Sequence, residues 1–454
     1  MKKFKNFYFK SFDFDKKSLL ASFHYSFDNE VFFEEKIDFN SDDFNLRKDI
    51  NYDILDSILF NLHIALWISY YKAYPTHDLI VESWNLDDFQ ITFWKKFYIN
   101  WLWEFLYKNN IDIKWLFNFI NNSSTNYKKI DFEVSSKALV PVWWWKDSIV
   151  SIEMLKNEWF DFDLFVFWKI DNLKEDTSNI SNKNILLVKR TISNNLFDLN
   201  KKGYFNWHVP ITWLIAFTME VVWYLYSYKY LVLSNEISAN FWNTFWNWVN
   251  INHQYSKSLE FEKDFKLYVE KYISSNIKYF SLLRWLYEVK IAEYFTQNAK
   301  KYFSYFSSCN NNFKIFNKSE NIEKWIKWCN NCPKCAFVFS ILRPYLDKEE
   351  VIEIFWEDLF DRKDLEKLFR ELLWITWIKP FECVWEAEEV IFSMNKSIKK
   401  YWNNLPYILE IFNREVLTKL TNEEIKNIEK KLGNRSDEDI IPKEIKKIIF
   451  KEKN

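Results

Sequence analysis

Two short stretches of this chain carry residue types that could do chemistry. The first is Pro141-Val-Trp-Trp-Trp-Lys-Asp-Ser148, between a short apolar run, Ala138-Leu-Val-Pro-Val142, and a segment of helical spacing from Asp147 to Asn157. Strand, short loop and helix start, in that order, set up a phosphate site. The first amides of a helix lack intrahelical partners and carry partial positive charge, so they hold anions. A loop that comes close to phosphate needs residues without side chains, yet Trp143, Trp144 and Trp145 stand there. The second stretch is Trp328-Cys-Asn-Asn-Cys-Pro-Lys-Cys335, with Cys309 upstream. The thiols of Cys309, Cys329, Cys332 and Cys335 could close a tetrahedral site, and a structural Zn2+ is the favoured reading. An iron–sulfur cluster and ordinary thiols are the alternatives. Cys383 stands apart, either a small buried hydrophobe or a thiol base.

The tryptophans are the anomaly of the composition. The chain has 454 residues, two Gly and 25 Trp. An ordinary soluble protein of this length carries about 7% glycine, or roughly 32 residues. Glycine serves left-handed turns, helix ends and close backbone approaches, none of which tryptophan can supply. The simplest reading is that many of these positions are glycines encoded by UGA, a codon that another common code reads as Trp. Trp94 is the position we most expect to be a genuine tryptophan. The literal alternative is a tryptophan-rich binding protein with aromatic platforms.

Length allows two or three domains and a large core. A net charge of −1 gives no global field for nucleic acid or anionic lipid. Apolar and charged shares of 48% and 28% are those of a globular protein. No apolar run follows Met1-Lys-Lys-Phe-Lys-Asn6, so no secretory signal and a cytoplasmic location are expected. Ile211 to Tyr230 is interrupted by Glu220 and Lys229 and reads as a buried helix then a strand, not a membrane span. Three clustered cysteines suit a metal site in a reducing compartment better than a disulfide framework.

The elements that must position these groups follow from hydrophobic period. Residues 1–130 read as an α+β lead-in, with a hairpin over Leu19–Phe39 turning at Asp28-Asn29 and helices over Ile54–Tyr71 and Phe89–Leu106. Ser123-Ser-Thr-Asn126 is a polar break. Residues 131–345 alternate strands (138–142, 160–170, 185–189, 230–233) with helices (147–157, 211–226), which argues an α/β domain built on a parallel sheet. Residues 346–454 read as a helical C-terminal region: Lys348–Phe369, Pro406–Leu417 with Pro406 in the first helical position, Asn422–Lys431, then a Lys-rich tail.

With glycine at 143–145 the loop reads Pro-Val-Gly-Gly-Gly-Lys-Asp-Ser, which resembles the PP-loop of the ATP pyrophosphatase superfamily (the adenine nucleotide alpha hydrolase-like fold). It is not the P-loop pattern, which needs Gly-Lys-Ser/Thr after four spacer residues. The resemblance implies that the loop holds the pyrophosphate end of ATP. Lys146 would add a cation, Asp147 would orient the loop or a Mg2+ ion, and Ser148 would cap the helix and donate to phosphate.

The wider sequence, from the hairpin to about residue 417, is similar to the UDP-N-acetylmuramoyl-L-alanyl-L-glutamate epimerases. The segments that carry the likeness include Trp207-His-Val-Pro-Ile-Thr212, Ser234-Asn-Glu-Ile-Ser-Ala-Asn240 and Asn252-His-Gln-Tyr-Ser-Lys-Ser258. Others are Phe280-Ser-Leu-Leu-Arg284, Cys332-Pro-Lys-Cys335 and Lys379-Pro-Phe-Glu-Cys-Val-Trp-Glu386. The family has glycine where Trp stands at 143–145, 207 and 385, and proline where Trp285 stands. The resemblance implies an ATP- and Mg2+-dependent epimerase acting on UDP-MurNAc-L-Ala-L-Glu, with no nucleic-acid or membrane partner. ATP would adenylate the α-carboxylate of L-Glu, which acidifies the α-proton; its removal and return on the other face would give D-Glu. His208, His253, Glu236 and Cys383 are the candidates for proton transfer. Asn235, Lys257 and Arg284 are candidates for binding phosphate or carboxylate, and Glu236 is also a candidate Mg2+ ligand. The rival within this fold class is a PP-loop enzyme that modifies a nucleobase or tRNA, and the near-neutral charge argues against it.

Overall fold

The computed structural model of the chain describes residues 2–41, 43–112, 116–121, 134–143, 145–167, 181–241, 244–246, 249–252, 254–309, 311, 327–375, 386–401 and 404–450. The chain divides into two compact units. One comprises Met1–Pro141, Phe160–Val232 and Tyr255–Phe280; the other comprises Val142–Trp159, Leu233–Gln254 and Ser281–Asn454.

The first unit is built on a ten-stranded sheet. In chain order its strands are β1 (Asn6–Asp15), β2 (Leu20–Phe27), β3 (Val31–Asp38), β4 (Asp78–Val81), β5 (Asn118–Asn121), β6 (Ala138–Pro141), β7 (Phe162–Phe167), β8 (Ile185–Thr191), β9 (Tyr230–Leu233) and, after a small separate hairpin of β10 (Thr244–Trp246) and β11 (Val249–Ile251), β12 (Lys278–Ser281). The spatial order is β12-β9-β6-β7-β8-β3-β2-β1-β4-β5. Strands β9, β6, β7 and β8 are parallel, as the alternating pattern predicts. The sheet does not stop there. Strand β3 pairs antiparallel with β8, so the N-terminal meander extends the same sheet instead of standing apart as a lead-in. A buried ion pair crosses that seam: Arg190 Nε lies 2.5 Å from Glu35 Oε1, and its Nη2 donates to Ser69 Oγ at 2.7 Å.

The hairpin of β2 and β3 turns where expected, with Asp28 and Asn29 both at positive φ, a conformation that Asp and Asn tolerate. The helix Tyr52–Leu66 covers the meander, and Trp67 fills the core between Phe7, Phe9, Tyr71 and Tyr98. Tyr52–Tyr71 is long and apolar enough to cross a membrane, and it is mostly buried inside the fold. Trp94 also lies in this core, fully buried against Tyr98 and Phe217.

The second unit, which holds the β10–β11 hairpin, is otherwise mainly helical. The helix Lys146–Asn157 packs on Glu288–Asn298, which packs on Pro333–Leu342, and that helix packs on Ala387–Ile398. Two sequence readings need correction here. The single helix expected over 348–369 is broken: Lys348–Phe355 ends at Trp356, whose φ of 67° is left-handed, and 3-10 turns lead to a further helix Glu366–Leu372. Pro406 precedes its helix, because its ψ of 151° is extended and the helix starts at Tyr407. Among the described residues, Trp159, Trp356 and Trp374 hold positive φ, as Gly203 does at the end of Asn194–Lys201. An L-residue pays about 1–2 kcal/mol for that conformation and glycine does not. The three indoles are also exposed, Trp159 at 94%.

Candidate active site

Three segments that follow neighbouring strands converge within the second unit. After β6 come the loop and the helix Lys146–Asn157. After β9 come Asn235 and Glu236, and after β12 come Arg284 and the helix Glu288–Asn298. One carboxylate oxygen each from Asp147, Glu236 and Glu288 lie within 4.8 Å of one another, and all three side chains are buried. Lys146 is buried with them and ion-pairs with both Asp147 and Glu288. Asp147 and Glu288 stand in the first turns of their helices, where the helix dipole favours negative charge.

Burial pulls the Lys146 ammonium down, but the Asp147 and Glu288 carboxylates outweigh it and hold the pKa above the ordinary lysine value. Burial, with Asp147 beside it, pushes the Glu288 carboxyl well up. Lys146 is the ammonium that ion-pairs directly with two of these three carboxyl groups, and Lys334 and Arg284 are further buried cations around them. Oxygen donors so placed suit a hard divalent cation such as Mg2+, which takes one or two carboxylates and completes its shell with substrate phosphates.

The supporting residues are equally specific. Arg284 is fully buried, and its Nη1 donates to the backbone carbonyl of Glu236, which fixes the turn that presents that carboxylate. Asn235 Nδ2 donates to Ser281 Oγ at 2.9 Å. Trp143 and Trp145 are half-buried in the loop, and Trp145 is the N-cap residue, without a side-chain cap bond. Ser148 therefore does not cap the helix. The helix starts one residue earlier than its spacing suggests, and the Ser148 hydroxyl donates back to the Trp145 carbonyl at 3.0 Å.

The structure gathers only part of the expected set. Lys146, Asp147 and Glu236 meet, with Asn235 and Arg284 behind them. His208 and Lys257 belong to the first unit. His208 is exposed and edges Trp101 at 5.9 Å, and Lys257 ends the turn Tyr255–Lys257, half-buried. Trp144, His253 and Cys383 lie outside the described residues. Cys309, Cys329, Cys332 and Cys335 do come together, with sulfurs within 4.8 Å of one another.

Sequence reading missed three residues. Glu288 looks like any acid at a helix start; its place after β12, close behind Arg284, was the available signal. Lys334 sits inside the cysteine pattern and was passed over as a spacer. It is buried, its Nζ lies 5.5 Å from the Trp145 ring, and its charge bears on Glu288. Glu389 carries no local signal. It is fully buried, accepts from the Val289 amide at 3.4 Å, and burial pushes its pKa up to about 7.

Residues 1–282 match the MurL N-terminal domain and residues 305–426 match the MurL C-terminal domain. The chain belongs to the MurL family. Three MurL relatives carry the name UDP-N-acetyl-alpha-D-muramoyl-L-alanyl-L-glutamate epimerase. That of Xanthomonas oryzae pv. oryzae is 31% identical over 329 residues, 72% of this chain and 71% of its own. That of a Micromonospora species is 32% identical over 356 residues, 78% of each chain. That of Salinispora tropica is 31% identical over 357 residues, 78% of this chain and 76% of its own.

Proposed function

We propose that this MurL protein is an ATP-dependent epimerase that converts the terminal L-Glu of UDP-MurNAc-L-Ala-L-Glu to D-Glu. The observation that carries the chemistry is the buried Asp147–Glu236–Glu288 group with Lys146 at the end of a strand–loop–helix turn. The names of the MurL relatives supply the substrate.

The reaction has three stages. A carboxylate oxygen of the substrate attacks the α-phosphorus of ATP and pyrophosphate leaves, giving an acyl adenylate. The acyl adenylate no longer carries the carboxylate charge, so its α-proton is far more acidic. A base takes that proton and a proton returns on the opposite face; water then cleaves the anhydride to AMP and the D-Glu carboxylate. Helix-start amides at 146–148 and the Lys146 ammonium would stabilise the departing pyrophosphate. A Mg2+ ion held by Asp147 and Glu236 would neutralise phosphate charge. Glu389 and Glu288 join Glu236 as candidates for proton transfer, because burial keeps their pKa high.

The loop works in this way only with small residues, and we propose glycine at 143–145 in the native protein. The left-handed Trp159, Trp356 and Trp374 support the same reading elsewhere in the chain. Peptide mass spectrometry of native protein across residues 138–156 tests it: glycine at the three positions is expected, and three intact tryptophans would overturn it. For the reaction, the glycine-containing protein is incubated with UDP-MurNAc-L-Ala-L-Glu and Mg2+, with and without ATP. AMP, pyrophosphate and D-Glu are expected only with ATP. Release of ADP, or no D-Glu after full incubation, would sink the proposal.

A further inference from the structure

The cysteine cluster takes no part in the adenylation chemistry, and it has a geometry of its own. Cys332 and Cys335 sulfurs are 3.4 Å apart and Cys329 and Cys335 sulfurs are 3.8 Å apart; all four sulfurs, Cys309 included, lie within 4.8 Å of one another. A disulfide needs about 2.05 Å, and all four cysteines are free. Four thiolates around one ion at about 2.3 Å stand roughly 3.8 Å apart, the edge of a tetrahedron. An iron–sulfur cubane interposes its own sulfides and spreads its cysteines wider.

The surrounding chain is arranged to hold thiolates. Cys332 is the N-cap of the helix Pro333–Leu342, and its sulfur accepts from the Cys335 amide at 3.4 Å. Amides at a helix start favour the thiolate form. Asn330, at φ 55°, turns the chain between Cys329 and Cys332, and its side-chain amide donates to Phe355 O at 2.6 Å and Glu357 Oε1 at 3.0 Å. The Ser307 hydroxyl donates to the Lys327 carbonyl and receives the Cys309 amide at 3.4 Å, tying the two arms of the site together.

We infer that Cys309, Cys329, Cys332 and Cys335 bind one Zn2+ in a closed tetrathiolate site whose role is to fix the turn that carries Lys334. Four protein ligands leave no open position for substrate, so the ion is structural. Lys334 lies between two of the ligands, and its ammonium stands at the loop position of residue 145, at the start of the helix Lys146–Asn157. The metal thereby sets the position of a buried cation beside the Glu288 carboxylate.

Metal analysis of the whole protein, purified without chelator, tests this. About one zinc per chain is expected. Cys332→Ser should lose it and unfold at lower temperature, whereas Cys383→Ser should keep it. Should Cys332→Ser fail to fold, wild-type protein is stripped with a chelator and titrated with Co2+. A thiolate-to-cobalt charge-transfer band with intense tetrahedral d–d bands supports the site, and a weak octahedral spectrum overturns it. Iron in place of zinc, full zinc in Cys332→Ser, or loss of zinc in Cys383→Ser would also overturn the assignment.

Discussion

At the scale of single residues, the candidate site is a buried group of carboxyls held against the Lys146 ammonium. Lys146 touches two carboxylates, and a third faces the same point. Removing the ammonium strands Asp147 and Glu288 in a low-dielectric interior. Lys146→Ala should therefore lower stability by about 3–5 kcal/mol in urea unfolding, and adding Glu288→Gln should recover a good part of that loss. A single variant as stable as the parent would contradict the pairing. Asp147→Asn keeps the shape but removes the proposed cation ligand, so kcat should fall roughly 100-fold, with a raised Mg2+ requirement. Unchanged Mg2+ dependence in steady-state assays would count against Asp147 as a ligand. Much of this site was legible in the residues themselves. Lys146 and Asp147 announce themselves behind an apolar strand, and Glu236 follows a strand end. Glu288, Lys334 and Glu389 did not, because what makes them special is the company they keep after folding.

At the scale of elements, hydrophobic period found the helices and strands with a regular pattern: Ile211–Tyr226, the β2–β3 hairpin and β6 lie where they were read. Strand β1 escaped because its alternation slips. Phe7 and Phe9 point inward, a bulge between Phe9 and Ser11 shifts the register, and Phe12 and Phe14 follow only half-buried. The helix expected over 348–369 failed for a different reason: its stop signal is a residue that ordinarily carries no stop meaning. Trp356 closes Lys348–Phe355 in the left-handed region with its indole 57% exposed. Trp356→Gly should stabilise the protein by about 1 kcal/mol, since glycine relieves the backbone strain and gives part back in unfolded-chain entropy. Trp356→Ala, which keeps a Cβ, should gain much less. Urea midpoints of the pair decide it, and a destabilised glycine variant would refute the argument.

At the scale of the whole molecule, two kinds of information met. Family likeness supports the proposed substrate class, while the fold brings residues scattered between positions 146 and 389 close together. The one sheet that joins the N-terminal meander to the parallel strands was not legible, because its β3–β8 seam pairs residues more than a hundred positions apart and depends on a buried Arg190–Glu35 pair. The core also sets acid sensitivity. His63 is fully buried among Phe9, Phe12, Phe23 and Tyr25, and burial lowers its pKa to about 3. The folded state thus binds fewer protons than the unfolded chain between pH 6.5 and about 3, so stability falls as pH drops through that window. By pH 5 this histidine alone should cost about 2 kcal/mol. His63→Phe should flatten that part of the profile, and an unchanged slope in thermal melts from pH 7 to 5 would contradict it.

The central claim is that epimerisation runs through an ATP-activated carboxylate whose α-proton is exchanged. The most direct test is mass spectrometry of the dipeptide product formed in D2O with ATP and Mg2+. The account predicts D-Glu bearing one deuterium at its α-carbon, formed only when AMP is formed. D-Glu without deuterium, or deuterated D-Glu formed without ATP, would contradict it.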